Sequence, residues 1–136
     1  MILADTSAWV EFDRGTGSEV DRRLADLIAS DGPLAITEPI VMEVVAGARK
    51  GERQADHRRL LGRCHLLRFE AVSDFDAASV IHRRCRRGGV TPRGLVDCTI
   101  AAVALRHGAA LLVHGVDLSR IAAFVGIEVD EASTPL

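Results

Sequence analysis

The sequence contains no tyrosine, one tryptophan and four phenylalanines, so aromatic residues make up only 4% of it. A surface that stacks unpaired bases on a row of rings is poorly supported by that content, and Trp9 and the phenylalanines are assigned to the core. Lysine is nearly missing too: Lys50 stands alone and arginine carries the rest of the positive charge. With a formal net charge of −2, the chain is not a polycation that coats nucleic acid indiscriminately. A GC-rich genome favouring arginine codons would account for the overall arginine skew. The local run Arg83-Arg84-Cys85-Arg86-Arg87 suits phosphate, whose oxygens match the guanidinium fork, and equally suits a solvated helix end. Cys64, Cys85 and Cys98 are odd in number and lack CxxC spacing, which argues against disulfides and zinc and for reduced thiols. No apolar run approaches membrane-spanning length. The short apolar start has no basic leader and is interrupted by Asp5, so no signal peptide is expected and the expected location is cytoplasmic.

A length of 136 residues with 48% hydrophobic content suits one compact domain, expected over 1–130, with 131–136 as a loose tail. Short apolar runs alternate with amphipathic segments. Met1–Ala4, Leu34–Ile36, Leu66–Phe69, Leu111–Val113 and Ile127–Val129 read as strands. Helices are expected after Asp5-Thr6-Ser7, through Val20 to Ile28, from Thr37 to about Ala48, and over Arg53–Cys64. Further helices are expected from a Ser73 cap to Gly88, from Gly94 through Leu105, and through Leu118 to Val125. Buried strands separated by helices predict an α/β fold, a parallel sheet covered on both faces, with functional groups at the carboxyl ends of its strands.

Against that background the carboxylates stand out. Asp5, Glu43 and Asp97 are each the only charged residue in an otherwise apolar stretch, and Asp117 sits in a fourth, Leu111–Leu118. Stretches this apolar are largely buried, and an ionised carboxylate stays buried only when something pairs with it. No lysine or arginine lies inside any of them, so the economical solution is convergence on a shared hard cation. Asp5 follows the first strand directly and Asp117 lies just past the strand at Leu111. Glu43 shares a helix face with Ile40, Val44 and Gly47, and Asp97 with Ala101 and Ala104, where small neighbours leave room for close packing.

Oxygen ligands without a His or Cys constellation favour Mg²⁺ or Mn²⁺ over zinc. The five histidines form no HxH or HExxH pattern. A hard divalent ion activates water and neutralises charge as a phosphodiester is displaced, which makes metal-assisted phosphodiester hydrolysis the favoured reaction class. Plainer readings stand beside these. Asp5, Asp97 and Asp117 could each cap a helix, and Glu43 could snorkel or pair with a distant arginine. Thr6 and Ser7 could orient water or phosphate, or simply cap. Arg93, one helical turn before Asp97, could hold phosphate or tether that carboxylate. His114 fits a solvent-facing loop.

The opening Met-Ile-Leu-Ala-Asp5-Thr-Ser-Ala-Trp, the mid-chain Glu-Pro-Ile-Val-Met-Glu43-Val-Val-Ala-Gly47 and the later Asp97-Cys-Thr-Ile-Ala-Ala102 resemble the PIN-domain ribonucleases, and the small size resembles their VapC toxins. The resemblance spans essentially the whole chain. It implies a three-layer α/β/α sandwich with a mainly parallel sheet and Mg²⁺- or Mn²⁺-dependent cleavage of RNA. Asp5, Glu43, Asp97 and Asp117 would form the acidic catalytic set. Asp5 and Asp97 would hold metal, and Thr6, Ser7 and Arg93 would contact substrate. Such proteins usually carry a further acid after a hydroxyl residue and before an aromatic; here that region reads Val113-His114-Gly115-Val116-Asp117-Leu118. The hydroxyl is missing and Leu118 replaces the aromatic, so Asp117 is the substitute fourth acid. The resemblance also implies a small antitoxin partner that covers the site, often with an arginine, and a homodimer.

Two rivals remain. A phosphotransfer domain with an aspartyl nucleophile needs a lysine at a strand end, whereas Lys50 follows a helix. A catalytically degenerate domain that only binds a partner or RNA is motivated by the altered Val113–Leu118 segment.

Overall fold

The structure is a computed structural model that describes residues 1–48 and 51–133, with residues 51–54 described by their backbone alone. Along the chain run β1 (Ile2–Ala4), α1 (Thr6–Arg14), α2 (Glu19–Ala29), β2 (Leu34–Ile36), α3 (Glu38–Ala46) and α4 (Gly51–Leu61). They are followed by β3 (His65–Leu66), α5 (Ala71–Arg87), α6 (Leu95–His107), β4 (Ala110–Leu112) and α7 (Asp117–Val125). The strands form one sheet in the order β3-β2-β1-β4, every pair parallel. Leu3, Ala4, Ala35, Ile36, Leu111 and Leu112 are all buried, because helices cover both faces and leave no solvated side that would demand alternation. The result is the expected three-layer α/β/α sandwich. Among the described residues no helix is long and apolar enough to cross a membrane.

The pairing register places the future site. Ala4 lies opposite Leu112, so β1 and β4 end side by side, and the Asp5 amide donates to the Leu112 carbonyl at 2.9 Å. The residues that follow, Asp5 on one strand and Val113-His114 on the other, are therefore neighbours at the carboxyl edge. Helix α6 presses its first turn toward the same edge. Its residues Cys98 to Ala104 are buried without interruption, which small side chains permit by letting neighbouring elements approach closely.

Several elements differ from the sequence reading, each for a visible reason. The third strand is His65–Leu66 rather than Leu66–Phe69. The backbone beyond it is captured by side chains instead of a ladder: Arg106 donates to the Arg68 carbonyl at 2.6 Å and the Phe69 amide donates to Glu38 Oε1 at 2.9 Å. Helix α5 is capped not by Ser73 but from Glu70, whose amide donates to Asp74 Oδ2 at 2.7 Å. Thr37 occupies the cap position of α3 without making a side-chain cap bond. The expected final strand is reduced to a single parallel bridge between Leu111 and Val129. Residues 130–133, at the edge of the tail read as loose, are tied down: Asp130 pairs with Arg23 at 3.2 Å, and buried Ser133 accepts from the Val113 amide at 3.0 Å. Lys50 and residues 134–136 lie outside the described residues.

Trp9 is buried as expected, and Phe12 and Phe69 pack against the core. Phe75 and Phe124 do not; they are 59% and 44% exposed. The cysteines are free thiols, with Cys85 and Cys98 buried. Burial pushes the Cys98 thiol up to about 11, so it is an inert core residue at neutral pH.

Candidate active site

A cavity of about 490 Å³ opens at the carboxyl edge of β1 and β4, and Asp5, Glu43, Asp97 and Asp117 all line it. Each arrives from a different element. Asp5 is the residue between β1 and α1, where its extended backbone makes it the N-cap: Oδ2 accepts the Ser7 amide at 3.1 Å and the Ser7 hydroxyl at 2.6 Å. Its other oxygen, Oδ1, is buried without a hydrogen-bond partner among the described residues. Asp5 thus both caps α1 and lines the pocket. Glu43 lies mid-helix on α3, and the Thr6 hydroxyl donates to its Oε1 at 2.7 Å, which orients the carboxylate across a sequence gap of 37 residues.

Asp97 and Asp117 begin their helices without capping them. Gly94 is the cap residue of α6 and Val116 that of α7, and neither helix has a side-chain cap bond. Asp97 is held half-buried at the pocket wall. Asp117 stands at the lip, with Oδ2 3.5 Å from the Arg93 guanidinium. Both partners of this contact are well exposed, at 83% and 45% of their side chains, so it adds little stability and is easily exchanged. Gly115, which also lines the cavity, has φ 113°, a conformation that a side chain would strain.

The electrostatics follow from crowding acids. Burial, then the charges of Asp5, Glu43 and Asp117, push the Asp97 carboxyl up to about 6, with Arg93 pulling weakly the other way. Burial also raises Asp5, against the opposing pull of the Ser7 hydrogen bonds. A carboxyl raised in the folded state binds more protons there than in the unfolded chain, so folding weakens as pH climbs between the two values. Without divalent ions, stability is therefore expected to fall from about pH 4 to about pH 6. The Asp97 contribution is at most about 3 kcal/mol before solvent screening reduces it. Urea titrations across that range check this, and Asp97→Asn should flatten the profile; a wild-type stability that rises through the window contradicts it.

The donor set suits a hard cation: apart from the His114 imidazole, which faces Glu11, it is carboxylate and hydroxyl oxygen, and Asp5 Oδ1 has no hydrogen-bond partner among the described residues. Among the described residues, however, no group of three or more His, Cys, Asp or Glu stands close enough to grip one ion jointly. Mg²⁺ needs no such cage, since it keeps several waters and takes one or two carboxylates directly. The residues present therefore fit an ion held by two carboxylates, with the others acting through water.

Of the substrate residues expected from sequence, Ser7 and Arg93 line the cavity and Thr6 does not. The hydroxyls of Thr6 and Ser7 are engaged with Glu43 and Asp5. His114 is the exposed loop residue expected, and it also lines the pocket. Its amide donates to Ser7 Oγ at 2.9 Å and its imidazole lies 3.4 Å from Glu11. Glu11 was not anticipated. Its one sequence signal is its place a single helical turn after Ser7 on α1.

Residues 2–123 match the family model described as the PIN domain, and the chain belongs to that family. Among its relatives, Ribonuclease VapC11 of Mycobacterium tuberculosis is 41% identical over 132 residues, covering 94% of this chain and 96% of that protein. VapC ribonuclease Mb1587 of Mycobacterium bovis matches to the same extent. Among solved structures, DNA-bound VapBC from Salmonella typhimurium has the same fold, with a TM-score of 0.70 at 22% identity over 95% of this chain and 96% of that one.

Proposed function

We propose that this chain is the toxin of a type II toxin–antitoxin pair, an endoribonuclease that hydrolyses RNA phosphodiester bonds with Mg²⁺ or Mn²⁺. The observation that carries the reading is the surplus of negative charge in one pocket. Four carboxylates from four parts of the fold line it, and burial, then the charges of the other three, raises Asp97 to about 6. Relatives named as VapC ribonucleases support RNA as the substrate.

In this reading Asp5 and Asp97 would hold the ion. When bound, the ion supplies positive charge for the phosphoryl oxygens and makes a nucleophile of water at neutral pH. Glu43, fixed by the Thr6 hydroxyl, orients the attacking water and takes its proton. Ser7 keeps Asp5 turned into the pocket while tying the His114 backbone to it. Arg93 exchanges Asp117 for a substrate phosphate, to which its fork is better matched. Asp117 completes the acidic set. The partner is a small antitoxin that places an arginine among these acids, where charge-assisted hydrogen bonds are strong, and the toxin acts as a homodimer.

The test is RNA cleavage by purified protein with Mg²⁺, with Mn²⁺ and with chelator, followed by sequencing of the fragment ends. Cleavage that requires the ion is expected. So is a rise in melting temperature with millimolar ion, equivalent to about 2.7 kcal/mol when its concentration is a hundred times Kd. A cooperatively folded protein that cleaves no RNA with Mn²⁺ and melts independently of it favours the degenerate, binding-only domain instead.

A further inference from the structure

The pocket explains how one phosphodiester is attacked but not how the rest of a strand is held. Helix α7 leads away from it. Asp117 sits at the pocket lip, and Arg120 and Phe124 follow at the spacing that keeps all three on one helix face. The face is open: Arg120 is exposed and Phe124 is 44% exposed. From Asp117 to Phe124 the helix rises about 10 Å, the scale of the nucleotides neighbouring a bound phosphate.

Phe124 is not merely stranded there. Its ring lies flush on the backbone of Gly88, at the end of α5, so closely that a Cβ at that position would come within 2.3 Å of it. One part of the ring is seated by this contact and the remainder faces solvent. Arg84, one turn before Gly88 on α5 and so on the same helix face, is exposed. At the other end Arg93 meets Asp117 at 3.5 Å. Guanidinium groups therefore occur along a strip that carries two exposed apolar groups, the Phe124 ring seated on a glycine and Val116 beside Asp117.

We propose that this strip, Arg93–Arg120–Phe124–Arg84, is the track that holds single-stranded RNA beside the scissile phosphate. The arginines take backbone phosphates and Phe124 stacks one base. The proposal rests on the ribonuclease reading above and adds to it a positioning surface outside the pocket. Charge complementarity selects the occupant: the arginines suit a polyanion, and one ring with Val116 is little apolar surface for a protein partner. Stacking tolerates any base, since each has a π face, whereas the arginines would read none of them. The track therefore sets affinity, and sequence choice lies elsewhere.

The test uses an RNA that the wild type cleaves, with KM and kcat measured at several salt concentrations. Phe124→Leu keeps an apolar contact on Gly88 but offers no aromatic face, and is expected to raise KM about tenfold with kcat retained. Phe124→Tyr should restore the wild-type KM. Arg120→Gln should raise KM and flatten the salt dependence of log K by about 0.7. Wild-type KM and salt slope in both Phe124→Leu and Arg120→Gln overturn the track. So does a change in oligomeric state with RNA affinity unmoved, which would assign the strip to a protein interface. If the wild type cleaves no RNA, the ribonuclease reading fails separately. Binding of labelled single-stranded RNA to the same variants still decides the track.

Discussion

Asp97→Asn is expected to lower RNA cleavage by more than about a hundredfold while leaving the protein folded, and in the absence of divalent ions more stable at neutral pH. The substitution preserves shape, and the helix loses no cap, because Gly94 rather than Asp97 occupies that position. What it removes is the charge on an oxygen that would hold the proposed ion; even residues one shell further from a metal are worth about 10- to 100-fold. It also removes the like-charge repulsion that, after burial, raises the carboxyl to about 6. Activity and apo stability thus move in opposite directions, as expected where a site is strained for function. Initial cleavage rates and a chelator-containing melt measure the two. Undiminished cleavage would mean that the acid cluster is not the catalytic centre.

The largest loss of stability is expected far from the chemistry, at Arg106→Met. Asp74 is only 1% exposed, and Arg106 meets both of its oxygens, at 2.9 and 2.8 Å, while also donating to the Arg68 carbonyl. Removing the arginine leaves a buried carboxylate with only the Glu70 amide, which costs about 3 kcal/mol, the lower end of the range for broken buried pairs because Arg106 is itself partly solvated. The pH dependence should also change sign. In the wild type, Arg106 holds the Asp74 carboxyl below its ordinary range, so this pair's stabilisation is present above the unfolded value and is lost on acidification. In the variant, burial dominates and mild acid becomes favourable. Urea unfolding at neutral and acidic pH tests both statements; a loss below about 1 kcal/mol would show that the network contributes little. RNA cleavage well below the melting temperature should be unaffected, since neither residue lines the pocket.

The two predictions illustrate what could and could not be read from residues alone. Asp5, Glu43 and Asp97 were legible because each interrupts an apolar run, and isolation of charge is a local property. Asp117 was legible for the same reason, although its surroundings depart from the family pattern. The contact of Glu11 with His114 was not, because Phe12-Asp13-Arg14 beside Glu11 make the segment look like an ordinary solvated helix end. The Asp74–Arg106 pair joins positions 32 apart, and nothing in either neighbourhood names the other. The same pair also explains a misplaced element. Once Arg106 and Glu38 satisfy the backbone at Arg68 and Phe69, that segment has no need of a sheet partner, so apolar pattern alone overstated β3. The parallel core was easier to see, since strands buried on both faces read as unbroken Leu, Ile, Ala and Val.

The two oxygens of Asp5 divide architecture from chemistry within a single carboxylate. Oδ2 starts a helix, and Oδ1 is buried with no hydrogen-bond partner among the described residues. Alanine at position 5 therefore conflates two failures, a frayed α1 and a missing ligand, and would say little about either. An amide there can keep the helix start intact while forfeiting the anion, so the identity of one atom, rather than the presence of the side chain, becomes the experimental variable.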